Sequence, residues 1–263
     1  MTIFLIKVIA LICMVIDHIG EFIPQTPMWF RYIGRLAIPM FFFCSVWGFY
    51  YTSNREKYLL RLYICGLIMS LGNIVLSVVY NRAISNNIFT TICWGCIVIW
   101  IFETAQGYKQ IITRIILLMA HQIIAFGLCA LLAEFLCIPH SVDTYMLYYG
   151  YGALFGSVIF TEGGFLFVFC FAMMYLFKDK PVRLTILLVV FSFIITLICR
   201  RTYYMRGAVD YLFPFDRYQW MMMFAIPFFY FYNGKKGKSF KWLFYLFYPL
   251  HIWGLFVIGS SFG

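Results

Sequence analysis

The sequence predicts an all-α protein that crosses a lipid bilayer about nine times, ten being the alternative count. Two observations predict this. Of 263 residues, 64% are hydrophobic and 11% charged, whereas about a quarter of a soluble domain is usually charged. The hydrophobic residues also fall into runs of about 20, the length that spans a bilayer as a helix. Aromatic residues reach 22%, and Trp29, Tyr50, Tyr51, Tyr148, Tyr149 and Trp242 lie near the ends of runs, as in an interfacial belt. The chain reads as one membrane domain, 1–263, with the bilayer as a partner. Its net charge of +10 is spread over short loops, so it reports topology rather than nucleic-acid binding. No cleavable signal peptide is expected, because the first run is long and no small-residue cleavage motif follows it.

The spans are expected at approximately 2–23, 34–52, 58–80, 87–103, 111–136, 145–177, 182–199, 218–232 and 240–259. The sixth is too long for one straight helix, and Gly150, Gly152, Gly156, Glu162, Gly163 and Gly164 interrupt it. It is tilted, kinked or two shorter pieces. The eighth is short and contains Pro227. With the amino terminus in the cytoplasm, thirteen basic residues fall on the cytoplasmic side and seven on the other, which obeys the positive-inside rule. All nine lysines are then cytoplasmic, and the seven outward basic residues are all arginine.

The first run carries the chemistry. Lys7 and His18 are eleven residues apart, about 20° around a helix and about 16 Å along it. They share a stripe, with Asp17 and Glu21 beside His18. Ionisable groups inside a span are costly and point to a functional site. Lys7 alone would be an ordinary snorkelling residue; three polar groups within five residues have no such simple excuse. Glu21, one turn after His18, could orient its ring. Asp17 points about 100° away and better suits an arginine. Arg31 and Arg35, at i and i+4, repel unless an anion sits between them.

In the last run, His251 follows Pro249. It either bonds backbone freed by the proline or faces His18 across a common cavity. Tyr248 stands beside it as a substrate contact. Arg200 and Arg201 open the longest polar stretch, 200–217, which also holds Arg206, Asp210, Asp216 and Arg217. They either pair with carboxylates or bind an anionic substrate group. His121 is isolated and reads as structural. Gly234 to Ser239 lacks phosphate-loop spacing and reads as a basic turn touching anionic headgroups or an anionic cofactor. Cys93-Trp-Gly-Cys96 has redox or metal spacing but no second ligand pair, so no metal is expected.

Several stretches together resemble a known family. Lys7-x10-His18 is similar to the basic-x10-His signature of integral-membrane acyltransferases, and Gly34-Arg-Leu-Ala-Ile-Pro resembles the start of their second span. Asn87-Ile-Phe-Thr90, Asn233-Gly234 with Gly237, and Phe244-Tyr-Leu-Phe-Tyr-Pro-Leu-His251 resemble the TraX family of conjugal-transfer membrane proteins. The resemblance covers about residues 5–255. It implies a bacterial inner-membrane acetyltransferase that takes acetyl from cytoplasmic acetyl-coenzyme A to an acceptor at the outer face: a pilin or other peptide amino terminus, a sugar or a lipid headgroup. It implies His18 as the catalytic histidine, Lys7 as a coenzyme A contact, and Arg31 and Arg35 as the second-span arginines, which join Lys7 in the expected cofactor-binding set. The acyltransferases often space those arginines by three; here the spacing is four.

The residues agree with that chemistry. Acyl transfer needs a base near neutral pKa, which histidine supplies. The oxyanion needs fixed donors, for which Arg31, Arg35 and His251 are candidates. A transporter or flippase for an anionic amphiphile is the alternative, with the arginines as binding groups. A non-catalytic assembly factor is the third reading.

Overall fold

The computed structural model describes residues 1–135, 144–202, 218–238 and 240–262. The elements in order are α1 (Ile3–Phe22), α2 (Trp29–Gly34), α3 (Ala37–Tyr50), α4 (Arg55–Tyr80), α5 (Ile88–Glu103), α6 (Tyr108–Phe135), α7 (Thr144–Phe155), α8 (Gly164–Leu176), α9 (Pro181–Thr202), a 3₁₀ helix (Gln219–Ala225), α10 (Ile226–Tyr230) and α11 (Lys241–Ser260). Among the described residues there is no strand. Among the described residues, six segments are long and apolar enough to cross a membrane: α1, Trp29–Tyr50, α4, α6, Pro181–Ile198 and Trp242–Ser260. α5 and α8 are shorter apolar helices. The chain is a multi-pass membrane protein.

Two expected spans take another form. The segment 145–177 is two helices, α7 and α8, because glycines at 156, 163 and 164 all adopt positive φ, which ends one helix and delays the next. The segment 218–232 is a seven-residue 3₁₀ helix followed by the five-residue α10. Pro227 sits in the first turn of α10, where its missing N–H costs nothing. Proline starts this short helix instead of interrupting a long one.

The chain forms two compact units, Met1–Tyr51 with Met173–Gly263, and Thr52–Ala172. In the first, α1 packs on α2, α3 and α11, and the 3₁₀ helix packs on α9 and α3. The buried residues of α1 are Ile3, Ile6, Ala10, Cys13, Met14, His18 and Phe22, one helical stripe. Close approaches set the packing angles. A Cβ at Gly34 would overlap the Asp17 carboxyl, and one at Gly259 would overlap the Phe22 carbonyl. The first contact brings the end of α2 onto α1; the second brings α11 onto α1.

In the second unit, α4 packs on α5 and α7, and α6 on α7. In the non-helical stretch between α7 and α8, Ser157 N–H donates to the Gly152 carbonyl and Gly164 N–H to the Thr161 carbonyl (both 2.9 Å), and side chains satisfy further backbone groups. Gln122 donates to the Gly156 carbonyl (3.0 Å) and accepts from Val158 N–H (2.7 Å). Thr91 donates to the Glu162 carbonyl (2.7 Å). The Glu162 carboxylate accepts the Asn87 backbone N–H (2.8 Å) at the start of α5, where the helix dipole favours an anion. A cavity of about 230 Å³ beside this stretch is lined by Tyr63, Thr90, Trp94, His121 and Gly156.

Candidate functional site

Asp17, His18 and Glu21 occupy the second half of α1. His18 is 4% exposed. Its Nδ1 lies 2.8 Å from Nε2 of His251, and the rings are 5.0 Å apart between centroids. Nδ1 of His251 lies 2.7 Å from the Phe247 carbonyl, and its ring stacks on Phe247 (4.9 Å, 13°). Tyr248 is buried with its ring edge toward His251 (5.8 Å). His251 faces His18 in direct contact, and it also bonds backbone, though not the group expected. Pro249 frees the carbonyl of Tyr245, four residues back, while His251 bonds that of Phe247.

The partners fix the tautomers. A carbonyl only accepts, so His251 carries its proton on Nδ1. With a neutral His251, Nε2 accepts, and Nδ1 of His18 must donate to it. His18 therefore presents a bare lone pair at Nε2, for which the described residues provide no hydrogen-bond donor. This protonation pattern is assigned from hydrogen-bond partners. It parallels the oriented histidine of acyl-transfer triads, with a neutral imidazole in the orienting position.

The carboxylates serve the arginines. Arg35 Nη2 reaches both Asp17 oxygens at 2.6 and 2.5 Å. Arg31 Nη1 lies 3.0 Å from Asp17 Oδ1 and 2.8 Å from Glu21 Oε2, and also donates to the Asp17 carbonyl (3.2 Å). The anion between the two like charges is thus Asp17 itself. Glu21 was expected to orient His18. The structure gives that task to His251, because Arg31 draws Glu21 and the histidine pair uses His18 Nδ1. Arg31 and Arg35, expected to contact the cofactor, face these carboxylates.

Two participants lay outside the sequence reading. Gln219 is 4% exposed and accepts from Arg35 Nη1 at 3.4 Å. Tyr218 places its ring 5.9 Å from the Arg35 guanidinium. Both directly follow the long polar stretch 200–217, and that proximity is their sequence signal. Donor atoms of Asp17, His18 and Glu21 lie within 4.8 Å of one another, a spread that suits a metal ion. Arg31 and Arg35 already neutralise the two carboxylates, and a metal would have to displace them.

Lys7 is half-buried on the same stripe as His18, with its Nζ 5.4 Å from the Phe244 ring centre. Arg200 and Arg201 fall in the last turn of α9, and their side chains lie outside the described residues, as do Arg206, Asp210, Asp216 and Arg217.

A histidine pair, His18 buried and His251 half-buried, flanked by a carboxylate–arginine cluster among apolar helices, defines a multi-pass membrane protein with a polar site between its helices. The chain belongs to the TraX family, whose model, described as TraX protein, matches residues 3–138. It is 39% identical over 69 residues to a probable fimbrial assembly protein FimC, serogroup H1, of Dichelobacter nodosus, covering 25% of this chain and 28% of that one. It is 30% identical over 119 residues to the uncharacterized protein RP591 of Rickettsia prowazekii (strain Madrid E), covering 43% of this chain and 45% of that one. The chain's matches thus span less than half the length of these curated relatives. No solved structure matches the chain significantly.

Proposed function

We propose that the protein is a membrane acetyltransferase that takes acetyl from acetyl-coenzyme A on the cytoplasmic side and passes it to an amine or hydroxyl at the outer face of the inner membrane. The observation that carries the reading is the His251–His18 pair, which leaves His18 Nε2 as a buried, oriented base. The acceptor X–H attacks the thioester carbonyl while Nε2 takes its proton. The carbon–sulfur bond then breaks, and the thiolate leaves with the proton returned from His18. The imidazolium formed in between is stabilised through Nδ1–H by His251. Asp17 and Glu21 fix Arg31 and Arg35 beside this centre, a preorganised polar setting of the kind that favours a developing oxyanion.

Similarity to a probable fimbrial assembly protein of Dichelobacter nodosus supports an acceptor among envelope-appendage subunits, in keeping with a peptide amino terminus. A transporter would need its arginines offered to cargo, whereas both of these engage carboxylates of the chain. The test is acetyl-coenzyme A hydrolysis by the purified protein in detergent. Wild type should hydrolyse it slowly and His18→Ala should not. Equal rates in the two proteins would remove the reading.

A further inference from the structure

The turn that follows Tyr232 carries Lys235, Lys236 and Lys238, all exposed. Positive charge alone would need no fixed backbone, yet this backbone is fixed. Asn233 N–H donates to the Met1 carbonyl (2.9 Å), and the Ile3 and Phe4 N–H groups donate to the Lys235 and Lys236 carbonyls (3.0 and 3.1 Å). The Asn233 side chain accepts from Lys235 N–H (3.1 Å). Gly237 adopts φ +74°, and a Cβ there would press on Thr2 Oγ1. The turn is therefore clamped across the first turn of α1. Lys7 lies one turn deeper, within the field of Lys236. Among the described residues none of these four lysines has an ion-pair partner.

An aromatic cluster adjoins the turn. Tyr232 packs on Trp47 (5.3 Å), and Trp47 stacks on Tyr51 (5.5 Å, 20°), which is 58% exposed. The Trp47 indole N–H and the Tyr232 hydroxyl are buried without a hydrogen-bond partner among the described residues. Tyr51 is thus the exposed member of this cluster.

We propose that this turn and the Trp47–Tyr51 stack form a binding platform for a phosphorylated nucleoside. Lys235, Lys236 and Lys238 hold the phosphates, and the base stacks on Tyr51. In acetyl-coenzyme A, this is the nucleotide end of the donor. Its thioester arm then passes Lys7 and runs down α1 to His18, about 16 Å further on. Only the identity of the nucleotide rests on the acetyltransferase reading.

The test uses the full chain in phosphatidylcholine nanodiscs, titrated calorimetrically with adenosine 3′,5′-bisphosphate. Wild type should bind. The Lys235→Gln/Lys236→Gln/Lys238→Gln variant should bind about tenfold more weakly, as expected for three exposed charge-assisted contacts. Tyr51→Ala should weaken binding several-fold. All substituted side chains are exposed, so folding is spared. A separate arm compares hydrolysis of acetyl-coenzyme A with that of S-acetyl-N-acetylcysteamine, a thioester without a nucleotide. The triple variant should raise KM for the first and leave the second unchanged. Wild-type affinity in the triple variant overturns the platform and leaves the acetyltransferase reading standing. Nucleotide binding without hydrolysis of either thioester does the reverse. Failure of wild type to bind the bisphosphate, with the lysines instead mediating binding to phosphatidylglycerol vesicles, overturns the platform in favour of a lipid headgroup.

Discussion

Replacing His251 by Phe isolates what the histidine pair contributes. The phenyl ring preserves the stack on Phe247 but removes the Nε2 acceptor 2.8 Å from His18 Nδ1. On the proposed acetyltransferase reading, that acceptor holds a neutral donor in the resting state. In the transition state it holds an imidazolium, inside a site where His18 is 4% exposed. A hydrogen bond to a charged group contributes about 1.5–3 kcal/mol, against about 1 kcal/mol for a neutral pair. Only the gain on charging, about 0.5–2 kcal/mol, acts on the barrier; since each tenfold in rate is about 1.4 kcal/mol, His251→Phe should lower kcat roughly 2- to 30-fold. KM should change little, because the bond strengthens only on the way to the transition state. The assay is steady-state acetyl-coenzyme A hydrolysis in detergent, with thermal unfolding measured alongside. A kcat within twofold of wild type, or a loss confined to KM, would refute the role given to His251.

Other perturbations follow from the same contacts. Asp17→Asn leaves Arg35, with its side chain 7% exposed, short of its anion; breaking a buried pair costs about 3–5 kcal/mol, so the thermal midpoint should fall sharply, and Asp17→Asn with Arg35→Gln should recover part of it. Gly259→Ala drives a Cβ into the Phe22 carbonyl; overpacking costs about 1–3 kcal/mol, and as α11 shifts off α1 the hydrolysis rate should fall, whereas Gly254→Ala, with open space around it, should be silent in both measurements. Glu162→Ala removes the acceptor for the Asn87 N–H and should cost about 1–3 kcal/mol, while Glu162→Gln, which keeps an acceptor oxygen, should retain most of the stability.

How much of this was legible in the sequence depends on distance along the chain. The shared stripe of Lys7 and His18 follows from helical periodicity alone, and α1 presents it. That Arg31 and Arg35 need an anion between them follows from their i, i+4 spacing; Asp17 is near enough in sequence to be named among the candidates. The choice of His251 as the partner of His18 was not decidable, since 233 residues separate them and the contact depends on Gly259 lying against Phe22. Glu21 was within reach of either His18 or Arg31, and only the position of α2 decides between them. The break of 145–177 into α7 and α8 was signalled by its glycines, but the Gln122 clamp that makes it tolerable comes from another helix. Gln219 and Tyr218 carry no local signature of a bond to Arg35.

The most direct test of the account is acetyl transfer across a membrane. Proteoliposomes of fixed orientation would receive labelled acetyl-coenzyme A at the face bearing the lysine turn, with peptide amines offered at the opposite face. Wild type should yield labelled acetyl-peptide and His18→Ala none, from proteins of equal thermal midpoint. Equal labelling with both, or none with folded wild type across a panel of peptide, sugar and lipid acceptors, would contradict it.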